Sequence, residues 1–277
     1  MPDAVTKRFG DEVVMKLAQM AMVAGVMGWM LASAPATAEA FDLEIAVGAK
    51  GGINMVAGQG IPDDSRMTSD QGNQVYFAKP EYYGHFGVGP KAGLSLELRA
   101  LDFVGLETGF YYSVDQASGY VDKNDALSGR TVARIHSDQV SRAYHLPVLL
   151  KFRVPTSRVS PVFGVGAEFI FQTESELEYR EERRAGSMGS LTDQLNARNQ
   201  IAPSNYILLT LSAGMEIKAG PVRIPVELRM GYNLGFDQAM SQRATYDEST
   251  GEITYDGIYQ GHVGVFTGVL YEFDLLL

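Results

Sequence analysis

The sequence predicts an all-β chain, an antiparallel up-and-down eight-stranded transmembrane β-barrel preceded by a cleavable signal peptide. Three observations carry that reading: eight segments alternate apolar and polar residues, the connections between them alternate long and short, and glycines share the parity of the charged residues. Composition agrees, since 30 Gly, 14 Tyr and 13 Phe in 277 residues suit pleated strands, whereas each Gly costs a helix about 1 kcal/mol. The absence of Cys excludes a disulfide framework, a thiolate zinc cluster, a thiol nucleophile and an acylated cysteine anchor. A net charge of -10 and a pI near 4.9 argue against a nucleic-acid partner, which needs clustered Lys and Arg to displace phosphate counterions.

Residues 1–40 read as the signal peptide and 41–277 as the barrel domain. Lys16 precedes an apolar run from Leu17 to Ala32, and Ala38-Glu39-Ala40 closes the segment with small residues two apart. Those are the basic start, apolar core and cleavage site of an exported chain. The competing reading is an anchoring helix, but such a helix needs about 20 apolar residues and this run is shorter. Asp3, Asp11 and Glu12 are unusual in a leader, which makes Met15 a second candidate start. No later segment approaches about 18 consecutive apolar residues, so spanning has to be done by strands.

The first segment places Phe41, Leu43, Ile45, Val47, Ile53 and Met55 on one parity against Asp42, Glu44, Lys50 and Asn54, which a strand separates onto opposite faces. The second sets Phe86, Val88, Leu94, Leu96 and Leu98 against His85, Lys91, Ser95, Glu97 and Arg99. The third has Val104, Leu106, Phe110 and Tyr112 against Glu107 and Ser113; the fourth, Tyr144, Leu146, Val148, Leu150 and Phe152 against His145, Lys151 and Arg153. Phe163, Val165, Ala167, Phe169 and Phe171 oppose Glu168 and Gln172 in the fifth, and Ile207, Leu209, Leu211 and Met215 oppose Thr210 and Glu216 in the sixth. The seventh runs Val222 to Leu234 against Arg223, Glu227, Arg229 and Asn233, and the last Val263 to Phe273 against His262 and Glu272. Each reaches the roughly 9 to 11 residues that a tilted strand needs to cross a bilayer.

The long connections are expected at 56–82, 115–143, 173–205 and 237–255, and the short ones at 100–102, 155–160 and 219–221. Short periplasmic turns and four long outer loops follow from a barrel with both ends periplasmic. Alternation alone does not separate this from a soluble ligand-carrying barrel. Glycine does: Gly48, Gly93, Gly105, Gly164, Gly214 and Gly268 among others fall on the charged parity, where a narrow interior needs small residues. The charged face therefore looks inward, and aromatic residues near segment ends form two girdles. Phe103, Phe152, Phe163, Tyr271 and Phe273 belong to the inner one, and Tyr112, Tyr144, Phe171, Tyr206 and Tyr232 to the outer one. Buried charges persist only when paired. The expected lumen is thus an ion-pair network of Glu97, Arg99, Glu107, Lys151, Arg153, Glu168, Arg223, Glu227 and Arg229, a plug rather than a pore.

Four stretches in this order carry a resemblance: Gly105-Leu106-Glu107-Thr108-Gly109-Phe110-Tyr111-Tyr112-Ser113, His145-Leu146-Pro147-Val148-Leu149-Leu150-Lys151-Phe152, Pro161-Val162-Phe163-Gly164-Val165-Gly166, and Tyr271-Glu272-Phe273. They resemble the OmpX/OmpA-type eight-stranded outer-membrane barrels and, more particularly, the PorT-like β-barrel family. The resemblance implies an outer-membrane location and no single activity, since such families include structural, adhesive and secretion-associated members. Barrels of this class end on an aromatic residue, whereas Asp274-Leu275-Leu276-Leu277 follows Phe273 here. That extension bears on recognition by the assembly machinery.

Glu174, Glu176, Glu178, Glu181 and Glu182 with Arg180, Arg183 and Arg184 make 173–205 the most charged connection. Glu178, Arg180, Arg183 and Arg184 are the contact candidates for a partner or for lipopolysaccharide, beside the blander reading of a solvated loop. Ser190 to Arg198 reads as a helical turn, and Tyr246 to Tyr255 as a hairpin tip prolonging barrel strands. His85, His136, His145 and His262 lack metal-ligand spacing. The expectation is a non-enzymatic protein without catalytic residue, cofactor or metal, whose partners are outer-membrane lipid, lipopolysaccharide, the barrel-assembly machinery, periplasmic chaperones and an unidentified extracellular molecule. Two other readings stay open: a small porin, and a lipid A-modifying enzyme using His85 or His136-Ser137-Asp138.

Overall fold

The computed structural model describes residues 43–58, 81–100, 103–124, 131–183, 199–234, 245–247, 252–256 and 259–275. The expected signal peptide lies outside these residues, as do Arg184, the turn at 190–198 and the tip at 248–251. Among the described residues eleven strands follow in chain order: β1 Leu43–Gly58, β2 Glu81–Ala100, β3 Val104–Asn124, β4 Thr131–Arg153, β5 Val159–Arg183, β6 Asn199–Ala202, β7 Asn205–Ala219, β8 Val222–Tyr232, β9 Thr245–Asp247, β10 Glu252–Asp256 and β11 Gly261–Leu275. Eight of them close into a barrel in the order β1-β11-β8-β7-β5-β4-β3-β2, and β6, β10 and β9 form a separate three-stranded sheet. No described helix is long and apolar enough to cross a membrane, which says nothing of strands.

Every barrel neighbour is antiparallel, and the first and last strands zip the cylinder shut from Leu43↔Leu275 to Ala57↔Gly261. Closure leaves the cylinder no edge. At one end, here called the turn end, connections are short: Ala219 pairs with Val222 across Gly220-Pro221, and Gly220 adopts φ 62°, a left-handed backbone that favours glycine. The opposite, loop end carries the long connections.

The period-two pattern becomes an inside and an outside. Ile53, Leu94, Phe110, Leu211, Met230 and Val265 are exposed on the outer surface, while Lys50, Lys91, Glu97, Glu107, Lys151, Glu168, Glu227 and Arg229 are buried inside. Interior glycines sit where neighbouring backbones press close: a Cβ on Gly93 would stand 2.1 Å from the Phe110 carbonyl oxygen, and one on Gly48 1.9 Å from that of Val269. Proline is accommodated by sacrificing one ladder at a time. Pro147 pairs with Glu168 of β5, while its β3 side falls in the interruption between Thr108↔Val148 and Tyr111↔His145. Pro225 likewise pairs with Glu216 of β7 and lies in a gap of the β8–β11 ladder. Each ring nitrogen, having no hydrogen to give, faces the broken side.

Three expectations are corrected. The stretches 115–143 and 173–205 are not simply loops: β3, β4 and β5 reach 21, 23 and 25 residues, pairing as far as Asn124↔Thr131 and Ala133↔Arg183. Their ladders continue with polar residues on both faces, so hydrophobic alternation cannot reveal them. The segment at 246–255 does form a hairpin, β9 against β10, but β10 pairs in parallel with β6 and does not prolong a barrel strand. Tyr206 is 8 % exposed and belongs to the interior, not the outer girdle, because it shares the inward parity of Leu208 and Thr210.

Candidate functional site: a filled lumen and a protruding sheet

Inward side chains stack in layers from the turn end. In the first, Arg99 Nη2 donates to Glu216 at 2.9 Å and Nε to Glu97 at 3.2 Å, with Glu272 also in contact. Arg153 pairs with Glu97, and Arg223 Nε donates to Glu272 at 2.8 Å. Six residues from five strands are thereby cross-linked.

The second layer is denser. Lys50 Nζ lies 2.7 Å from Glu107 and 3.1 Å from Glu227, Arg229 Nη2 lies 2.5 Å from Glu107 and 2.7 Å from Glu227, and Lys151 touches both carboxylates. Three cations thus share two acids, and every carboxylate oxygen is used. Tyr111 and Phe266 form an aromatic shelf next to it: the Arg229 guanidinium lies 5.2 Å from the Phe266 ring centre, and Lys91 Nζ approaches the same ring at 5.3 Å. These are cation–π distances.

Beyond the shelf the chemistry changes. Glu168 contacts Lys91, receives His145 Nδ1 at 2.7 Å, and has His262 Nε2 at 3.5 Å. His145 Nε2 lies 2.8 Å from Ser113 Oγ, and Ser113 Oγ lies 2.8 Å from Asp115 Oδ2. Val56, Ala117, Ala143, Ile170, Tyr206, Leu208 and Tyr259 then form an apolar cap. Tyr259 is 3 % exposed, and its segment is tied down on two sides, with Gln260 N donating to Ala57 O and Asn233 N to Gln260 O, both at 2.8 Å.

All nine lumen residues named from the sequence face inward, and they fall into three separate groups: Glu97, Arg99, Arg153 and Arg223 in the first layer, Glu107, Lys151, Glu227 and Arg229 in the second, and Glu168 in the third. Sequence reasoning missed Lys91, His145, Ser113 and Asp115 as one array. Asp115 lay past the last apolar outward residue of its strand, in what read as a loop. Ser113, His145 and Glu168 are in the order nucleophile, base and orienting acid. Yet Ser113 is 1 % exposed beneath the cap, between ladder pairs with Lys91 and Ala143. The pair considered for lipid chemistry is split: Ser137 Oγ meets His85 at 2.9 Å on the inner face, and His136 meets Glu182 at 3.4 Å on the outer face. No group of three or more His, Asp or Glu among the described residues is arranged to hold a metal ion.

At the loop end β3, β4 and β5 overrun their neighbours. The β5–β7 ladder stops at Phe171↔Asn205, so residues 173–183 of β5 have no ladder partner on that side among the described residues. The protruding faces carry ion pairs: half-exposed Arg134 with buried Asp122 at 2.7 Å, and, facing solvent, Arg142 with Glu174 and Arg180 with Asp138 at 3.8 Å. The hydrogen bond from Arg142 holds the Glu174 carboxyl below its ordinary range. Of the contact candidates, Glu178 and Arg180 are exposed on this strand, Arg183 ends it, and Arg184 lies outside the described residues.

No family model and no curated protein matches the sequence. Among solved structures, the outer membrane protein OprG from Pseudomonas aeruginosa is 11 % identical, covering 86 % of this chain and 98 % of that one, with a TM-score of 0.34. Neisserial surface protein A is 12 % identical over 85 % and 97 % of the two chains, with a TM-score of 0.28. The attachment invasion locus protein Ail of Yersinia pestis is 10 % identical over 85 % and 100 %, also with a TM-score of 0.28. At such values the likeness carries no functional argument, which rests on the chain's own geometry.

Proposed function

We propose that the chain is exported by its leader, inserted in the outer membrane, and serves as a non-enzymatic, non-conducting barrel that anchors a protruding β-sheet for contact outside the cell. The carrying observation is the pairing of a filled interior with an apolar exterior. Water-facing charges would not be spent inside, nor Phe110, Leu211 and Met230 outside, in a protein bathed by water on its outer wall. In this reading the turn end is periplasmic, and Tyr112, Tyr144, Phe171 and Tyr232 mark the outer interface. It places the protein among OmpX-type barrels, and the motif order favours the PorT-like branch. Biogenesis then depends on periplasmic chaperones and the assembly machinery, and lipopolysaccharide surrounds the rim.

The protruding sheet supplies the contact surface, with Glu178 and Arg180 presented on a β5 edge that has no ladder partner among the described residues and that an incoming strand can complete. No cofactor or nucleic acid has a place in this account. Planar-bilayer recording of the purified barrel tests the filled interior. A silent or only transiently flickering membrane is expected; stable openings on the nanosiemens scale would favour the small-porin reading instead.

A further inference from the structure

The third lumen layer poses a problem in counting hydrogens. Asp115, Ser113, His145 and Glu168 are joined by three successive contacts, Oδ2 to Oγ at 2.8 Å, Oγ to Nε2 at 2.8 Å, and Nδ1 to Oε1 at 2.7 Å. Each of three hydrogen bonds needs its own hydrogen. A serine hydroxyl brings one and a neutral imidazole brings one, while two carboxylates bring none. The array is one hydrogen short.

We infer that the Asp115–Ser113–His145–Glu168 array binds one proton beyond those of a neutral histidine and two carboxylates, making the loop end of the lumen a proton-locked plug. With the proton on His145, Nε2–H donates to Ser113 Oγ, the Ser113 hydroxyl donates to Asp115, and Nδ1–H donates to Glu168. With it on Asp115, the carboxylic O–H donates to Ser113 Oγ, the Ser113 hydroxyl to Nε2, and Nδ1–H again to Glu168. The two forms interconvert as the Nε2 proton moves to Ser113 while the Ser113 hydrogen moves to Asp115.

On the other strands the array is enclosed by Asn54 on β1, Lys91 on β2, Thr210 and Tyr206 on β7, Arg229 on β8, and His262 on β11, all buried, with Tyr259 above. Lys91 offsets one of the two carboxylates, and the single excess cation of the neighbouring layer, where three cations share two acids, offsets the other, so the shortage of hydrogens, not charge, calls for the proton. Between an aromatic shelf and an apolar cap, a missing hydrogen bond leaves an unpaired polar atom. Asp115 Oδ1 and Glu168 Oε2 are already buried without a hydrogen-bond partner, so the remaining bonds carry the layer. Loss of the proton on alkalinisation therefore loosens the plug from its loop end. The inference depends on the closed lumen and not on what the protruding sheet binds.

Histidine-selective 15N spectra of the full mature barrel in detergent micelles, at about pH 7.5, one unit above an ordinary histidine, test it, paired with infrared spectra of 13C-aspartate-labelled protein. Either a doubly protonated His145 ring or a carboxylic Asp115 band supports the inference. A His145 ring with one bare nitrogen beside an ionised Asp115 overturns it. Asp115→Asn separates the array from its members, because the amide donates to Ser113 and completes three hydrogen bonds with no extra proton. In that variant His145 is expected to be neutral; a ring still doubly protonated would show that Glu168 alone holds the proton on His145 and would contradict the array. The wild-type folding constant is expected to fall relative to that of Asp115→Asn by about tenfold per pH unit above roughly pH 6.5. The sign follows from the folded state holding one more proton than the unfolded chain, so stability falls as pH rises until that proton leaves. Parallel profiles in the two proteins would refute the lock.

Discussion

The interior and the protruding sheet contain the same kinds of ion pair in opposite surroundings. Glu107 with Lys50, Lys151 and Arg229 lies wholly out of water, whereas Arg142 and Glu174 are each about two-fifths exposed. A buried pair is a strong constraint and a poor source of net stability: forming it costs desolvation, and breaking it strands a charge. An exposed pair constrains little because water replaces either partner. The lumen is therefore expected to behave as a rigid, intolerant pillar, and the sheet above it as a permissive surface.

The sharpest break in that contrast comes from Glu107→Leu, which leaves three cations on Glu227 alone. Urea unfolding in lipid vesicles should show a loss of about 3–5 kcal/mol; an unchanged midpoint would mean the layer is hydrated. Next in size, Leu211→Arg puts a charge on the outer wall and should cost about 2–4 kcal/mol in a bilayer, with little effect expected if water bathed that wall. The smallest effect belongs to Arg142→Ala, for which the unfolding midpoint should stay put while the Glu174 carboxyl titrates at higher pH than in the wild type, as read by NMR. A midpoint shift comparable to that of Glu107→Leu would erase the distinction between the two regions.

The difference also explains what could be read from residues alone. Along the cylinder the outward parity is apolar and the inward parity polar, so period two is written in hydrophobicity, and Ile53, Leu94, Phe110 and Leu211 announce both strand and side. Above the rim both faces are polar, and the signal fades at Val114 on β3. On β5 it also changes phase: Arg142 pairs with Glu174 and Ala143 with Gln172, so Thr173 is an extra residue. A one-residue bulge flips every following side chain, and residues 174–183 then look like an irregular charged loop. The ion pairs were legible as a balance of inward charges, but their division into layers was not, because partners such as Lys50 and Glu227 are 177 positions apart and meet only through barrel closure. Tyr206 shows the same limit: its inward parity was written in the sequence, and its proximity to a strand end outweighed it.

The claim beneath all of this is that the outward parity meets lipid acyl chains. The only tryptophan of the sequence is Trp29, within the proposed leader, so Leu211→Trp and Glu178→Trp in a chain that begins at Phe41 give barrels with one reporter each. In vesicles of lipids brominated along their chains, the account predicts strong quenching of the fluorescence at position 211 and none at 178. Emission from position 211 that brominated chains leave untouched, but aqueous acrylamide quenches, would contradict it.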